Sequence, residues 1–204
     1  LIAVFLVQFL WFFGLHGQII VNSVMDPIWN TLALENLDAY RVGETLPHIV
    51  TKPFMEIYTV GMGGSGSTLI VVLLLAFVMK SRQNKDIGRL ALGPAIFNVN
   101  EPLIFGMPLV LNASIFIPWI LAPLATTAFN YFVMAAGIFP VPTGVLVPWT
   151  VPVIINGIMA TSSFMGGLLQ VIDMALIGVI RFPFLKLVDR ANLNQIKMSE
   201  PEKG

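Results

Sequence analysis

A single carboxylate, Glu101, stands in the stretch FNVNEPLIFG (Phe97–Gly106) within a long apolar region. From Leu90 to Ile180 there is no Lys or Arg, and Asp173 is the only other acid. A charged side chain in membrane-like surroundings costs roughly 2.5–3.5 kcal/mol on insertion scales, so Glu101 must be neutral, partnered or bound to a ligand. Three more side chains with chemical potential share this apolar setting: Trp11 and His16 in FLWFFGLHGQ, and Trp149 in VPWTVP. Flat indoles suit the C–H faces of a carbohydrate, while carboxylate, imidazole and amide groups suit its hydroxyls. The set fits a sugar. Each residue also has a plainer reading: Trp11 as an interfacial anchor, His16 as a neutral packed imidazole, Trp149 as hairpin packing.

The elements that must position these groups follow from composition. Of 204 residues, 56% are hydrophobic and 11% charged, and the mean hydropathy is +0.85. That is far from a soluble domain with about a quarter of its residues charged. The chain is expected to be an all-α membrane protein. Eleven bases balance 11 acids, and the apolar runs leave no basic face for nucleic acid. The absence of cysteine excludes a disulfide framework, a thiolate metal site and a catalytic thiol on this chain. Neither a metal nor a cofactor is expected.

Four stretches reach the roughly 20 residues that span a bilayer core: Leu1–Val24, Ile57–Lys80, Asn112–Ile138 and Phe164–Leu187. Two others, Gly88–Leu111 and Phe139–Ser163, are interrupted by Pro, Gly and Asn, the second by Pro140, Pro142, Pro148 and Pro152. Bare backbone at membrane depth survives only where protein or a water-filled cavity covers it. These segments read as two re-entrant hairpins of opposite orientation, or as two kinked spans. The basic loop Lys80–Arg89 and the basic end from Arg181 both read as cytoplasmic, whereas the acidic segment Asp26–Lys52, with helical pieces around WNTLALENLDAY, reads as external. Both ends agree only if the two interrupted segments are of the same kind. Opposed hairpins would bring broken helix ends together near the midplane, as in transporter binding sites. The N-terminus, with no Lys, Arg, Asp or Glu before Asp26, reads as the cut end of a longer protein.

The motifs NVNEPLIFGMPLVLN, FFGLHGQ, DPIWN, MGGSGSTL and PTGVLVPWTVPVIING together resemble the membrane subunit, enzyme IIC, of the bacterial sugar phosphotransferase system, of the lactose/cellobiose/chitobiose type. The resemblance runs from about Phe9 to Val188 and implies the C-terminal, sugar-binding half of that subunit, followed by a cytoplasmic polar tail over 189–204. It implies that His16 and Glu101 lie near the sugar hydroxyl to be phosphorylated, that Trp11 and Trp149 frame the sugar rings, and that Asn98 and Asn100 are hydrogen-bonding partners. It further implies a disaccharide substrate, phosphoryl donation from a cysteine of a separate enzyme IIB, a homodimer in the full-length protein, and a place in the bacterial cell membrane with a cytoplasmic C-terminus. No residue of this chain is expected to carry phosphate itself. The rival classes are an ion-coupled secondary sugar transporter and a channel-like helix bundle.

Two local points complete the reading. GMGGSGST (Gly61–Thr68) nearly matches a phosphate-binding loop, but Ser67 stands where the lysine should be. It is expected to be a small-residue stripe for close helix packing. Trp11 and His16, five residues apart, lie 140° apart on an ideal helix at 100° per residue. Both can face one site only if the helix breaks at Gly14–Gly17.

Overall fold

The computed structural model describes residues 1–107, 110 and 112–199, and the regular elements among them are all α-helices. This is the class expected of a chain that must satisfy its backbone within lipid. Two helices are long and apolar enough to cross a membrane: α7 (Ala113–Ala135), over Ile115–Ala135, and α9 (Phe164–Ser199), over Phe164–Gln195. They pack on each other where the third and fourth spans were expected.

The first two expected spans are not single helices. In the first, α1 (Ile2–Phe12) ends and α2 (Gly17–Val42) begins with His16 as its N-cap. Gly14 sits between them at φ +78°, so the break falls where the Trp11–His16 spacing required it. A Cβ on Gly17 would lie 2.1 Å from the Val7 carbonyl oxygen; only glycine lets α2 leave this close to α1. Helix α2 then runs unbroken through WNTLALENLDAY, replacing the expected separate pieces, and stops at Gly43 in a left-handed turn.

The second expected span divides into the end of α3 (Lys52–Ile57), an irregular run over 58–68, and α4 (Leu69–Phe77). The helix-packing reading of GMGGSGST is thereby corrected. Its residues are small because they form a tight loop, with Gly63, Gly64, Gly66 and Ser67 all at positive φ. The loop closes part of its own backbone, Ser67 N donating to Val60 O (2.9 Å) and Leu69 N to Met62 O (3.1 Å).

Helix α5 (Arg82–Ile96) lies along α4 and leads through a turn to α6 (Glu101–Gly106). The Ser81 hydroxyl caps α5, so Lys80–Arg89, read as a loop, is largely helical. Residues 108, 109 and 111 at the end of this interrupted segment lie outside the described residues. The other interrupted segment has no helix over 136–154 and then forms α8 (Ile155–Thr161). Four prolines keep that arm extended, and Asn36, which donates to Pro142 O (2.9 Å), ties it to α2.

Helix α9 continues past Val188 to Ser199, through most of the stretch read as a polar tail; residues 200–204 lie outside the described residues. Asp189 is buried and accepts from Lys80 N, Ser81 N and Asn84 Nδ2, each at 2.9 Å. The far part of α9 is thereby joined to the α4–α5 turn.

Candidate functional site

A cavity of about 700 Å³ is lined by the start of α2, the end of α3, the glycine loop, the NVNEP turn and the proline arm. Five of the six expected site residues line it: His16, Asn98, Asn100, Glu101 and Trp149. Trp11 does not. It is 3% exposed and packs its indole against the His16 imidazole, with ring centroids 4.5 Å apart.

His16 owes its place to the helix break. As N-cap of α2 it accepts from Ile19 N through Nδ1 (3.4 Å). A neutral imidazole with Nδ1 accepting carries its proton on Nε2, and Nε2 lies 3.9 Å from Glu101 Oε1. That gap is too long for a direct hydrogen bond, yet an oxygen placed between them can reach both. Glu101 opens α6 directly after the turn, so the two groups come from helix starts about 85 residues apart in sequence.

The NVNEP turn is held from two sides. Asn98, in the left-handed region at φ 63°, accepts from Gly63 N (2.9 Å) and donates to Trp149 O (2.7 Å) and Val151 O (2.8 Å). Its amide therefore joins glycine loop, turn and proline arm. Asn100 Nδ2 donates to Ser65 O (2.5 Å). A Cβ on Gly64 would meet Asn98 O and Asn100 Cβ at 2.7 Å, which accounts for glycine at that position. Trp149 extends from the arm, 62% exposed, on the cavity lining.

Several lining residues escaped sequence reasoning: Gln18 and Asn22 on α2, Glu56 on α3 and Asn156 on α8. The spacing Gln18, Asn22, Asp26 is i, i+4, i+8, a polar stripe on one helix face that was legible in principle. Lys52 joins that stripe to α3, donating to Asp26 Oδ1 (2.5 Å) and Glu56 Oε1 (2.8 Å). Burial pushes the Glu56 carboxyl above the ordinary carboxylate range, against the downward pull of the Lys52 hydrogen bond and charge.

Arg181 was counted with the basic cytoplasmic end, and the structure corrects this. Only 4% exposed, it donates to Gly66 O (2.5 Å), Ser67 O (3.0 Å) and Pro118 O (3.4 Å), with its guanidinium 5.1 Å from the Trp119 ring centroid. No carboxylate among the described residues lies within ion-pair distance of it. Two of its partners are carbonyls that the non-helical glycine loop leaves open, and the third, Pro118 O, is on α7.

The sequence pattern described as "Phosphotransferase system, EIIC" matches residues 1–123, more than half of the chain. The chain belongs to this family. It is 62% identical over 197 residues to the oligo-beta-mannoside-specific EIIC component of Bacillus subtilis strain 168, covering 97% of this chain and 45% of that protein. Identity to the cellobiose-specific EIIC component of Geobacillus stearothermophilus is 42% over 193 residues, covering 93% and 43%. The fold matches the crystal structure of the transporter ChbC, the IIC component from the N,N'-diacetylchitobiose-specific phosphotransferase system, with a TM-score of 0.94 at 40% identity, covering 98% of this chain and 46% of that one. The chain thus spans less than half the length of these relatives. EIIC membership places it in an integral membrane protein of the bacterial cell membrane and gives no support to the ion-coupled alternative.

Proposed function

We propose that this EIIC chain binds a disaccharide of the cellobiose, lactose or chitobiose type and presents one hydroxyl to the phosphocysteine of a separate enzyme IIB. The observation that carries this reading is the facing of His16 Nε2 and Glu101 Oε1 across 3.9 Å at the cavity wall. A sugar hydroxyl oxygen placed between them accepts from the imidazole N–H and gives its proton to the carboxylate. The oxygen then attacks phosphorus, the new O–P bond forms as the P–S bond breaks, and the thiolate leaves with IIB. The chain has no cysteine, consistent with a subunit that presents substrate and carries no phosphate. A phosphorylated sugar fits poorly in a cavity bearing Glu101 and Glu56, which favours its release.

Asn98 and Asn100 hold the turn that aims Glu101, Trp149 offers a stacking face, and Trp11 backs His16. The two interrupted segments act as hairpins entering from opposite faces. The full-length protein is a homodimer, with the region that its relatives carry beyond the matched part supplying much of the contact. A cytoplasmic C-terminus is supported by Asp189, which joins the far part of α9 to the start of basic α5, so that both basic segments lie at one end.

Glu101→Gln in the full-length protein tests the reading. It keeps the shape of the side chain and removes the proton acceptor, and loss of a general base costs about 10²–10⁴-fold in rate. Membrane vesicles supplied with phosphoenolpyruvate and the donor proteins should yield labelled sugar phosphate with wild type and almost none with the mutant, at equal insertion. Near-normal phosphorylation by the mutant, or wild-type uptake of unmodified sugar, would overturn it.

A further inference from the structure

The cavity carries a second carboxylate that the phosphoryl step does not use. Glu56 lines the same cavity as His16 and Glu101, and helix α2 sets how far along it stands. Asn22 follows His16 by six residues, about 9 Å at the helical rise of 1.5 Å per residue, and Asp26 is one turn beyond. Lys52 sits against this second end. Its Nζ donates to Asp26 Oδ1 (2.5 Å) and Glu56 Oε1 (2.8 Å), and the Asn22 amide stands beside the same pair, its Nδ2 donating to Glu56 Oε1 (3.4 Å).

Two carboxylates thus hold the Lys52 ammonium, and its side chain is only 11% exposed. Lys52 is a clamp rather than a ligand. It grips Glu56 by Oε1, while Oε2 has no protein hydrogen bond among the described residues. The side chain is thus fixed in orientation, part-buried, and left with open acceptor capacity on a residue that lines the cavity. Such a group is costly unless a donor reaches it. Asn22 lies beside Glu56, and the Ser65 hydroxyl donates to Gln18, one turn before Asn22 on α2, so this end of the cavity is polar and suits hydroxyl groups.

We infer that Glu56, oriented by Lys52, binds the hydroxyls of the sugar ring remote from Glu101 and so helps determine which disaccharide is accepted. The inference rests on the sugar-permease reading above. A carboxylate fixed through one oxygen accepts hydroxyls only from a limited set of directions. A ring whose hydroxyl is inverted leaves it unpaired, and a site built to hydrogen-bond a hydroxyl discriminates strongly against ligands that fail to supply it. The remote ring makes the same contact before and during phosphoryl transfer, so losing the contact raises KM and leaves kcat in place.

The test uses Glu56→Gln in the full-length protein, in vesicles with the donor chain. Lys52 keeps Asp26 as its ion-pair partner, and the glutamine amide oxygen can still accept from it, so the isosteric variant retains the buried clamp. Two ligands are compared: whichever of cellobiose and β-1,4-mannobiose the wild type phosphorylates, and methyl β-D-glucopyranoside, a one-ring competitor read by its inhibition constant. The KM for the disaccharide should rise about 10- to 100-fold, the loss expected for hydrogen bonds to a charged group, with kcat unchanged and the one-ring inhibition constant within about two-fold of wild type. An unchanged disaccharide KM overturns the inference. So does an equal loss for both ligands, which would put Glu56 at the acceptor ring or make it merely structural. A wild type that phosphorylates neither disaccharide overturns the permease reading itself, and that failure shows before any mutant is measured.

Discussion

Trp149 is anchored by its backbone and not by its indole. Its carbonyl accepts from Asn98, while the ring is largely exposed on the cavity lining. Trp149→Ala should therefore leave the arm in place and remove only the stacking face, weakening sugar binding by about 1–3 kcal/mol by analogy with bases stacked on aromatic side chains. Trp149→Phe should keep part of that. Equal affinities for wild type and the alanine variant, measured by titration, would reduce Trp149 to packing. The two tryptophans invite the same sequence reading, and burial separates them: Trp11 shapes the site through His16, whereas Trp149 meets the cavity directly. Asn98 shows a similar division, since its donors and acceptor are all engaged by backbone groups. Residue type announced polar function, but only the partners show that Asn98 positions its neighbours.

Breaks between helices do most of the positioning. His16 and Glu101 each stand where a helix begins, and the glycine loop occupies the middle of what was read as a span. Arg181, on long α9, reaches that loop and takes its open carbonyls. Arg181→Met fills similar space but leaves Gly66 O and Ser67 O without donors, at about 1–3 kcal/mol for each buried group. Thermal unfolding of the purified full-length protein should fall for this variant, less so for Arg181→Lys, and sugar affinity should fall with it because Gly64 and Ser65 line the cavity. An unchanged melting temperature together with unchanged affinity would refute the bracing role. The break at Gly14–Gly17 was legible because two side chains five residues apart had to meet. The break within 58–68 was not, because a run of small residues is equally consistent with tight helix packing.

Across the whole molecule, Asp189 joins α9 to the α4–α5 turn, placing Arg82 and Arg190 toward one end, whereas Asp38 belongs to the acidic segment on α2. This chain has no cysteine, so single cysteines at these exposed positions, with any cysteine elsewhere in the protein replaced, give a topology test. A membrane-impermeant thiol reagent added to intact cells should label Asp38→Cys and spare Arg82→Cys and Arg190→Cys until the membrane is opened. Labelling of Arg190→Cys from outside would invert the proposed orientation. Composition alone determined the solvent, and with it the helical class, because an apolar chain in lipid has few ways to satisfy its backbone. Motif identity and order likewise determined the family and named five of the residues on the cavity. Only the tertiary structure decided that Arg181 is an internal brace and not a cytoplasmic charge, that Trp11 is buried, and that Glu56 shares the cavity with Glu101. Each of these depends on which distant backbone groups and side chains lie within a few ångströms, and local pattern does not encode that distance.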